Sequence, residues 1–157
     1  MKVIEENLLD FPEDITTIFH VANIRKTFGA GIAKQIKDRY PAAYQADLDY
    51  PWDDVDRFGE FSAAKVRDGK YVVNLYAQDL GGDNLSEDGK PFRLEHYKHA
   101  LESYLYEIDL RSSLSKLGFP WMIGSGLSQG PWDKIKELTE YLVSQYDVEA
   151  VWVKYEG

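Results

Sequence analysis

The sequence predicts one α/β domain over residues 1–157, with a mixed, largely parallel central sheet covered by helices on both faces. Three observations predict this fold class. Short β-rich apolar segments alternate with amphipathic helical segments along the chain. Two glycine turns each stand between a predicted strand and a predicted helix, as in parallel sheets built with crossover helices. The 44% hydrophobic and 14% aromatic content suits a globular protein and not a disordered one.

The first half of the chain is predicted to hold two strands, two helices and a hairpin. MKVIEEN indicates a short strand, and Ile15–Asn23 is apolar and β-rich enough for a buried one. The glycine turn leads into a helix that runs to about Tyr40, where Pro41 interrupts it. AAYQADLDY continues as a short helix. FSAAKVRDGKYVVNLYAQ predicts two strands joined at Asp68-Gly69.

The second half is predicted to hold two strands and two helices. After a polar loop, DLGGDNLSEDGKP, the apolar spacing predicts a long helix from Arg93 to Leu117, ended by Gly118. FPWMIGSGL predicts a strand running into the second glycine turn. PWDKIKELTEYLVSQY predicts a helix with Pro131 near its first turn, and VEAVWVKYE predicts a closing strand.

Composition and charge restrict the function. The formal net charge of −9 argues against binding of duplex nucleic acid, because proteins that bind the phosphates of a duplex are normally basic. The chain has no cysteine, which excludes disulfides, thiolate catalysis and cysteine-ligated zinc. We find no apolar run long enough to cross a membrane, and MKVIEENLLD has acids where a signal peptide needs an apolar region. A cytoplasmic protein that needs no cofactor or metal is expected.

The first glycine turn, TFGAGIAKQI, raises the possibility of an anion site. Gly29 and Gly31 permit positive φ and close approach, and the following helix offers backbone N–H groups at the positive end of its dipole. Neither turn fits the Walker pattern, and Lys34 replaces the third glycine of the dinucleotide fingerprint. From this turn alone, a plain structural turn and a phosphate loop both stay open.

Four segments together resemble the macro domain family, in its small single-domain bacterial and phage type. FHVANIRKTFGAGIAKQIKDRYP is similar to the family's first ligand loop, and MIGSGLSQGPWDKIKELTEYL to its second. GKYVVNLYAQ looks like the central strand, and IEENLLD looks like an early turn. The similarity runs over nearly the whole chain in the right order. It implies a three-layer α/β/α macro domain that binds ADP-ribose.

The resemblance also implies roles for individual residues. Asn23 would hydrogen-bond the distal ribose, and Asn7 stands where many members have an aspartate that accepts from the adenine amino group. Tyr155 is a candidate ring-stacking partner, with core packing as its alternative. The backbone of the two glycine loops would hold the phosphates, through Gly29, Ala30, Gly31 and Ile32 on one side and Ser125, Gly126, Leu127, Ser128 and Gln129 on the other.

The resemblance leaves open whether the protein is an enzyme or a reader. In the branch that removes terminal ADP-ribose from proteins, a lysine and an aspartate react; here Gln78 and Ser128 stand near those positions, which disfavours that reaction. We expect hydrolysis of ADP-ribose-1''-phosphate to ADP-ribose and phosphate, with Asn23 and Arg25 as catalytic candidates and Lys26 as a further cation. The alternatives are a non-catalytic reader of free or macromolecule-linked ADP-ribose, and a hydrolase of another ADP-ribosyl linkage.

Several other residues favour an ordinary structural interpretation. His20 is expected to be buried on the strand face opposite Asn23, with a general-base role as the alternative. His96 and His99 are spaced for a shared metal but are expected on a solvated helix face. The acids at 53, 54 and 56 are expected to form a solvated loop and not a cation site. Trp52, Trp121 and Trp132 are expected to pack, and not to stack on a nucleobase.

Overall fold

The protein forms a six-stranded mixed sheet between two pairs of helices. The computed structural model describes residues 1–79, 90–111, 115–126 and 129–155. Elements follow the chain in this order: β1 Lys2–Glu5, β2 Thr17–Asn23, α1 Gly31–Arg39, α2 Pro41–Asp49, β3 Phe61–Arg67, β4 Lys70–Gln78, α3 Leu94–Arg111, β5 Lys116–Pro120, α4 Trp132–Ser144 and β6 Glu149–Lys154. Short 3-10 turns lie at Leu8–Asp10 and Asp54–Arg57.

Strand order places the two glycine turns next to each other. The order across the sheet is β1-β6-β5-β2-β4-β3, and all neighbouring pairs are parallel except β3 with β4. β2 pairs with β5 on one side and with β4 on the other. Since the carboxyl ends of parallel strands lie at one edge, the turns that follow β2 and β5 leave the sheet side by side. The mixed, largely parallel sheet expected from the sequence is confirmed.

Each face of the sheet has its own apolar core. On one face, α1 and α2 pack over Ile18, Ala22 and Tyr76. On the other, α3 and α4 pack over Phe19, Val21 and related side chains. The two sets alternate along β2, which is wholly buried, so its run of apolar residues is explained by burial on both faces. The three-layer α/β/α arrangement is therefore confirmed.

One predicted boundary is wrong. The helix expected to run from Arg93 to Leu117 is α3, which ends at Arg111, and β5 already begins at Lys116. The strand was also expected to continue through Trp121 to Ile123, but these residues already form a turn. Gly118 is therefore a strand residue: a Cβ there would lie 2.9 Å from the Leu8 side chain, so β5 needs glycine to pack under the 3-10 turn.

A chain of buried polar side chains lies under α2, on the face that α1 and α2 cover. His20 Nε2 donates to Asn74 Oδ1 at 2.6 Å, and Asn74 Nδ2 donates to Ser62 Oγ at 3.0 Å. Ser62 Oγ and Tyr76 Oη are 2.7 Å apart, and Tyr76 Oη donates to Asp47 Oδ1 at 2.7 Å. Because Asn74 Oδ1 can only accept, His20 carries its proton on Nε2.

The chain of polar groups ends on a wholly buried ion pair. Arg57 donates to Asp47 Oδ1 at 2.7 Å, and its guanidinium also donates to the backbone carbonyls of Asp47, Tyr50 and Trp52. Neither side chain of the Arg57–Asp47 pair is exposed. An unpaired buried charge is very costly, so this pair fixes the segment between α2 and β3 to the sheet.

His20 makes the stability of the protein depend on pH. Burial lowers the pKa of His20 from 6.5 to about 4, although its hydrogen bond to Asn74 acts in the opposite direction. The unfolded chain therefore takes up a proton first as the pH falls. Stability that is complete above pH 6.5 should be lost between pH 6.5 and about 4.

We predict that this loss is about 3 kcal/mol for His20 alone. Urea unfolding of the wild type and of His20→Gln, measured at pH 7 and pH 4.5, gives two pH slopes whose difference isolates the histidine. The wild type should have the steeper slope. Equal slopes would show that His20 is not buried in its neutral form.

Candidate ligand cleft at the carboxyl edge of the sheet

A cleft of about 580 Å³ opens where β2, β4 and β5 end. Both glycine turns line it: the first glycine loop (residues 24–31) through Gly29 and Gly31 among others, and the second glycine loop (residues 121–130) through Gly124 and Gly126. A pocket of this size suits a nucleotide-sized ligand. Loops that are far apart in sequence thus meet at one site, as the resemblance implies.

Asn23 organises the first glycine loop. Its Nδ2 donates to the Thr27 carbonyl at 2.8 Å and to Thr27 Oγ1 at 2.9 Å, and its Oδ1 accepts from the Arg25 amide at 2.8 Å. Further along, Tyr44 Oη donates to the Lys26 carbonyl at 3.1 Å. The Asn23 side chain lines the cleft and is buried, so the residue predicted to contact ribose also sets the path of the loop.

The start of α1 places the first N–H groups of a helix beside the cleft. Ala30 occupies the N-cap position in an extended conformation and offers no side-chain cap. The first N–H groups of a helix have no partner inside the helix, and the helix dipole makes them attractive to anions. Gly31 begins α1 with a φ of 58°, a left-handed conformation that favours glycine. The predicted contact residues Gly29, Ala30, Gly31 and Ile32 all line the cleft.

Two backbone hydrogen bonds link the described residues of the second glycine loop. The Gly130 amide donates to the Gly124 carbonyl at 2.7 Å, and the Gln129 amide donates to the Gly126 carbonyl at 3.1 Å. Ser125 Oγ is buried without a hydrogen-bond partner. Gly126 lines the cleft, and Ser125 is its neighbour in sequence. The predicted contacts of Leu127 and Ser128 lie outside the described residues.

The glycines of the second loop have different reasons to be glycine. Gly124 has a φ of 74°, and a Cβ there would lie 2.6 Å from the Phe92 ring; a Cβ on Gly130 would lie 2.5 Å from the Gly124 carbonyl oxygen. Both are required by the fold. A Cβ on Gly126, in contrast, would meet nothing within 4 Å, and its φ is not positive; the same is true of Gly29 in the first loop. Neither packing nor backbone conformation therefore explains why positions 29 and 126 are glycine.

Arg25 forms an ion pair with Asp79, a residue that the sequence patterns did not single out. Arg25 Nε and Nη2 donate to the two oxygens of Asp79 at 2.8 and 2.9 Å. Asp79 lines the cleft at the end of β4, with 1% of its side chain exposed. Its position directly after the central strand was the signal that could have identified it, because ligands bind outside carboxyl ends of strands. Gln78, beside it, also lines the cleft.

Asn7 and Tyr155 leave neighbouring strands at the same edge. β1 and β6 pair in register up to Glu5 and Lys154. Tyr155 is 61% exposed, so the alternative of core packing is wrong. Asn7 Oδ1 accepts from the Leu9 amide at 3.0 Å and caps the 3-10 turn, which gives Asn7 a local structural role besides its predicted one. Their contacts with adenine stay predictions.

The other sequence candidates have mixed outcomes. His20 is buried as expected, and its ring contacts Phe28 in the core that α1 and α2 cover. His96 is half-buried and stacks on Phe58, with ring centroids 4.6 Å apart. His99 is exposed as expected, and its Nδ1 donates to the Gly59 carbonyl at 2.7 Å. Trp121 and Trp132 pack on the core as expected, but Trp52 is 50% exposed.

Two properties of the described residues concern metals and membranes. In residues 1–79, 90–111, 115–126 and 129–155, no three His, Asp or Glu side chains are grouped to hold a metal ion. Within the same ranges, no helix has the length and apolar character that a membrane span needs.

By sequence, the chain is similar to a phage protein. No protein-family model matches the chain. An uncharacterized 17.5 kDa protein from the tk-vs intergenic region of Enterobacteria phage T4 is 27% identical over 159 residues, covering 96% of this chain and 95% of the relative.

Solved structures share the architecture at low identity. A protein of unknown function from Bacteroides thetaiotaomicron matches with a TM-score of 0.81 and 15% identity, over 98% of this chain and 96% of its own. The macrodomain of Mycobacterium tuberculosis DarG matches with a TM-score of 0.76 and 19% identity, over 97% and 95%. The Trypanosoma brucei macrodomain in complex with ADP-ribose matches with a TM-score of 0.62 and 16% identity, over 90% and 58%.

The fold is therefore that of an α/β/α domain with a cleft at the carboxyl edge of its sheet. Within that class it is the macrodomain fold, and the resemblance seen in the sequence is confirmed at the level of the fold.

The packing around the glycines leads to a prediction that can be tested without a ligand. Gly29→Ala should change the free energy of unfolding by less than about 0.5 kcal/mol, because its Cβ meets nothing and its φ is ordinary. Gly124→Ala should lose about 2 kcal/mol or more, because it combines a left-handed backbone with overlap of the Phe92 ring. Thermal and urea unfolding of both variants measure the difference. Similar losses for the two variants would contradict the packing described for the loops.

Proposed function

We propose that the protein binds ADP-ribose in this cleft, with the pyrophosphate between the two glycine loops. The observation that carries the proposal is that Gly29 and Gly126 line the cleft although the fold needs glycine at neither position. A side chain would fill the space between the loops, so their small size is explained by a ligand that approaches the backbone closely. The macrodomain fold, and the ADP-ribose bound by the Trypanosoma brucei macrodomain of the same fold, support it.

The cleft suits a pyrophosphate for an electrostatic reason. The backbone N–H groups at the start of α1 carry partial positive charge, and they bind an anion without adding net charge to an acidic protein. In the second glycine loop, Ser125 precedes the lining residue Gly126; Ser125 Oγ is buried without a hydrogen-bond partner, and a phosphate oxygen would supply one. Asn7 and Tyr155, on neighbouring strands, are proposed to receive adenine, and Asn23 to receive the distal ribose.

We further propose that the protein hydrolyses ADP-ribose-1''-phosphate. Water attacks the terminal phosphorus, the bond from phosphorus to the 1'' oxygen breaks, and inorganic phosphate leaves while the ribose oxygen takes up a proton. Arg25 is the proposed electrostatic residue. The bidentate contact with Asp79 fixes its guanidinium beside the cleft, and a fixed charge stabilises a transition state without reorganisation.

One observation favours a reader without activity as the second candidate. The Asn23 side chain bonds within its own loop through both its donor and its acceptor, and Arg25 is already paired with Asp79. Both catalytic candidates therefore have structural roles that are sufficient to explain them. A reader needs only the cleft and the glycine loops, and it would bind free ADP-ribose or ADP-ribose carried by a macromolecule.

A charge placed in the first glycine loop tests the binding site. Gly29→Glu should lower the affinity for ADP-ribose by at least about a hundredfold, because a carboxylate several Å from the pyrophosphate repels it. Gly29→Ala is the matched control and should lose much less. Isothermal calorimetry with ADP-ribose measures both variants, with thermal unfolding to show that both fold. Equal affinities for Gly29→Glu and wild type would place the pyrophosphate elsewhere.

The activity has its own test. Arg25→Lys keeps the charge but cannot make the bidentate contact, so phosphate release from ADP-ribose-1''-phosphate should fall at least about tenfold. Affinity for ADP-ribose, measured by calorimetry on the same sample, should stay within about twofold because the pyrophosphate contacts are unchanged. Undiminished phosphate release by Arg25→Lys would exclude a catalytic role for Arg25. If the wild type binds ADP-ribose but releases no phosphate, the protein is a non-catalytic reader.

A further inference from the structure

The two cations of the first glycine loop are both paired with acids from one neighbouring segment. We call residues 50–58, between α2 and β3, the acidic segment. Asp53 Oδ1 lies 2.5 Å from Lys26 Nζ, and Asp54 Oδ1 lies 3.7 Å from Arg25 Nη1. Each acid is largely exposed, with 70% of the Asp53 side chain and 63% of the Asp54 side chain accessible. The segment thus borders the loop that lines the cleft.

The backbones on both sides of these contacts are held in place. In the loop, Asn23 binds Thr27, and Tyr44 binds the Lys26 carbonyl. In the acidic segment, buried Arg57 binds the carbonyls of Tyr50 and Trp52. The two ion pairs therefore depend on side-chain positions, and side-chain rotation alone can break them without moving either backbone.

The contact itself contains unusual backbone geometry. Lys26 has a φ of 61°, and Asp54 has a φ of 47°. Left-handed conformations are costly for residues other than glycine, and they persist where the surrounding structure imposes them, often near ligand sites. One strained residue stands on each side of the contact, which indicates an imposed arrangement and not a chance meeting of surface charges.

The contacts differ greatly in strength. The Arg25–Asp79 pair is bidentate, and its carboxylate is 1% exposed. The pairs made by Asp53 and Asp54 are solvent-exposed, and exposed ion pairs contribute little free energy. An anionic group entering beside the first glycine loop would therefore displace Asp53 and Asp54, while Arg25 stays on Asp79.

We propose that a phosphate attached to the distal ribose of the ligand binds to Lys26 and Arg25. Asp53 and Asp54 occupy its place when no ligand is bound. The two acids determine specificity: they compete with the terminal phosphate of ADP-ribose-1''-phosphate and do not compete with ADP-ribose, which lacks it. This inference rests on the proposed function, since it needs the distal ribose to lie beside the first glycine loop.

The chemistry of the groups supports the exchange. Carboxylate and phosphate oxygens accept the same charge-assisted hydrogen bonds from lysine and arginine. The Lys26 contact already lowers the pKa of the Asp53 carboxyl, first through the hydrogen bond and then through the positive charge. A carboxylate on each cation repels a second anion at the same place. Removing both negative charges opens the cations to the terminal phosphate.

The double variant Asp53→Asn/Asp54→Asn tests the competition. Asparagine keeps the shape of the side chain and tolerates the left-handed backbone at position 54. Calorimetry measures the affinities of the wild type and the variant for ADP-ribose and for ADP-ribose-1''-phosphate. The ratio of the two affinities should shift about fivefold toward the 1''-phosphate in the variant, with the affinity for ADP-ribose unchanged within about twofold.

The control variant is Asp49→Asn/Asp56→Asn, which removes the same charge from exposed positions in or near the acidic segment. It should leave the affinity ratio unchanged. An equal shift of the affinity ratio in both double variants would indicate long-range repulsion and would overturn the proposal. In Asp53→Asn/Asp54→Asn, an unchanged ratio or a shift toward ADP-ribose would also overturn it. Failure of the wild type to bind ADP-ribose would instead contradict the proposed function.

Discussion

The site depends on the parallel pairing of β2 with β5 and β4 in the middle of the sheet. β2 pairs with β4 over Thr17 to Asn23, and with β5 at Thr17 and Ile18. Parallel strands end at the same edge, so this pairing alone brings both glycine turns and the end of β4 to one cleft. The helices follow from the same constraint, because a parallel connection must cross a face of the sheet, and the crossings bury β2 on both sides.

Local patterns in the sequence were sufficient for the elements and for the general position of the site. Alternation of strands and helices predicted the layers, and glycine after a strand marked both loops. Boundaries were harder: the helix was expected to reach Leu117, but Lys116 and Leu117 belong to β5, where they pair with Glu149 and Ala150 of β6. Side-chain partners could not be read from spacing at all, which is why Asp79 was missed and why Trp52 was expected to pack.

The protein keeps an acidic surface and still offers a cleft suited to anions. Among the described residues at the cleft, the donors that suit a pyrophosphate are backbone N–H groups at the start of α1, and side-chain cations near them are paired with carboxylates: Arg25 with Asp79 and Asp54, Lys26 with Asp53. Partial charges on the backbone need no compensation elsewhere in the chain. Anion recognition by backbone is therefore compatible with a formal charge of −9.

The link between the two central strands has a consequence for how the molecule assembles. Thr16 and Lys116, 100 residues apart, are joined by three hydrogen bonds at the other end of these strands. The Thr16 amide and Thr16 Oγ1 donate to the Lys116 carbonyl, and the Lys116 amide donates to Thr16 Oγ1. Contacts between such distant parts of a chain close late, because the loop between them costs entropy before the contact repays it. During synthesis, the first glycine loop therefore emerges long before its counterpart. The cleft that the two loops line is therefore complete only near the end of folding.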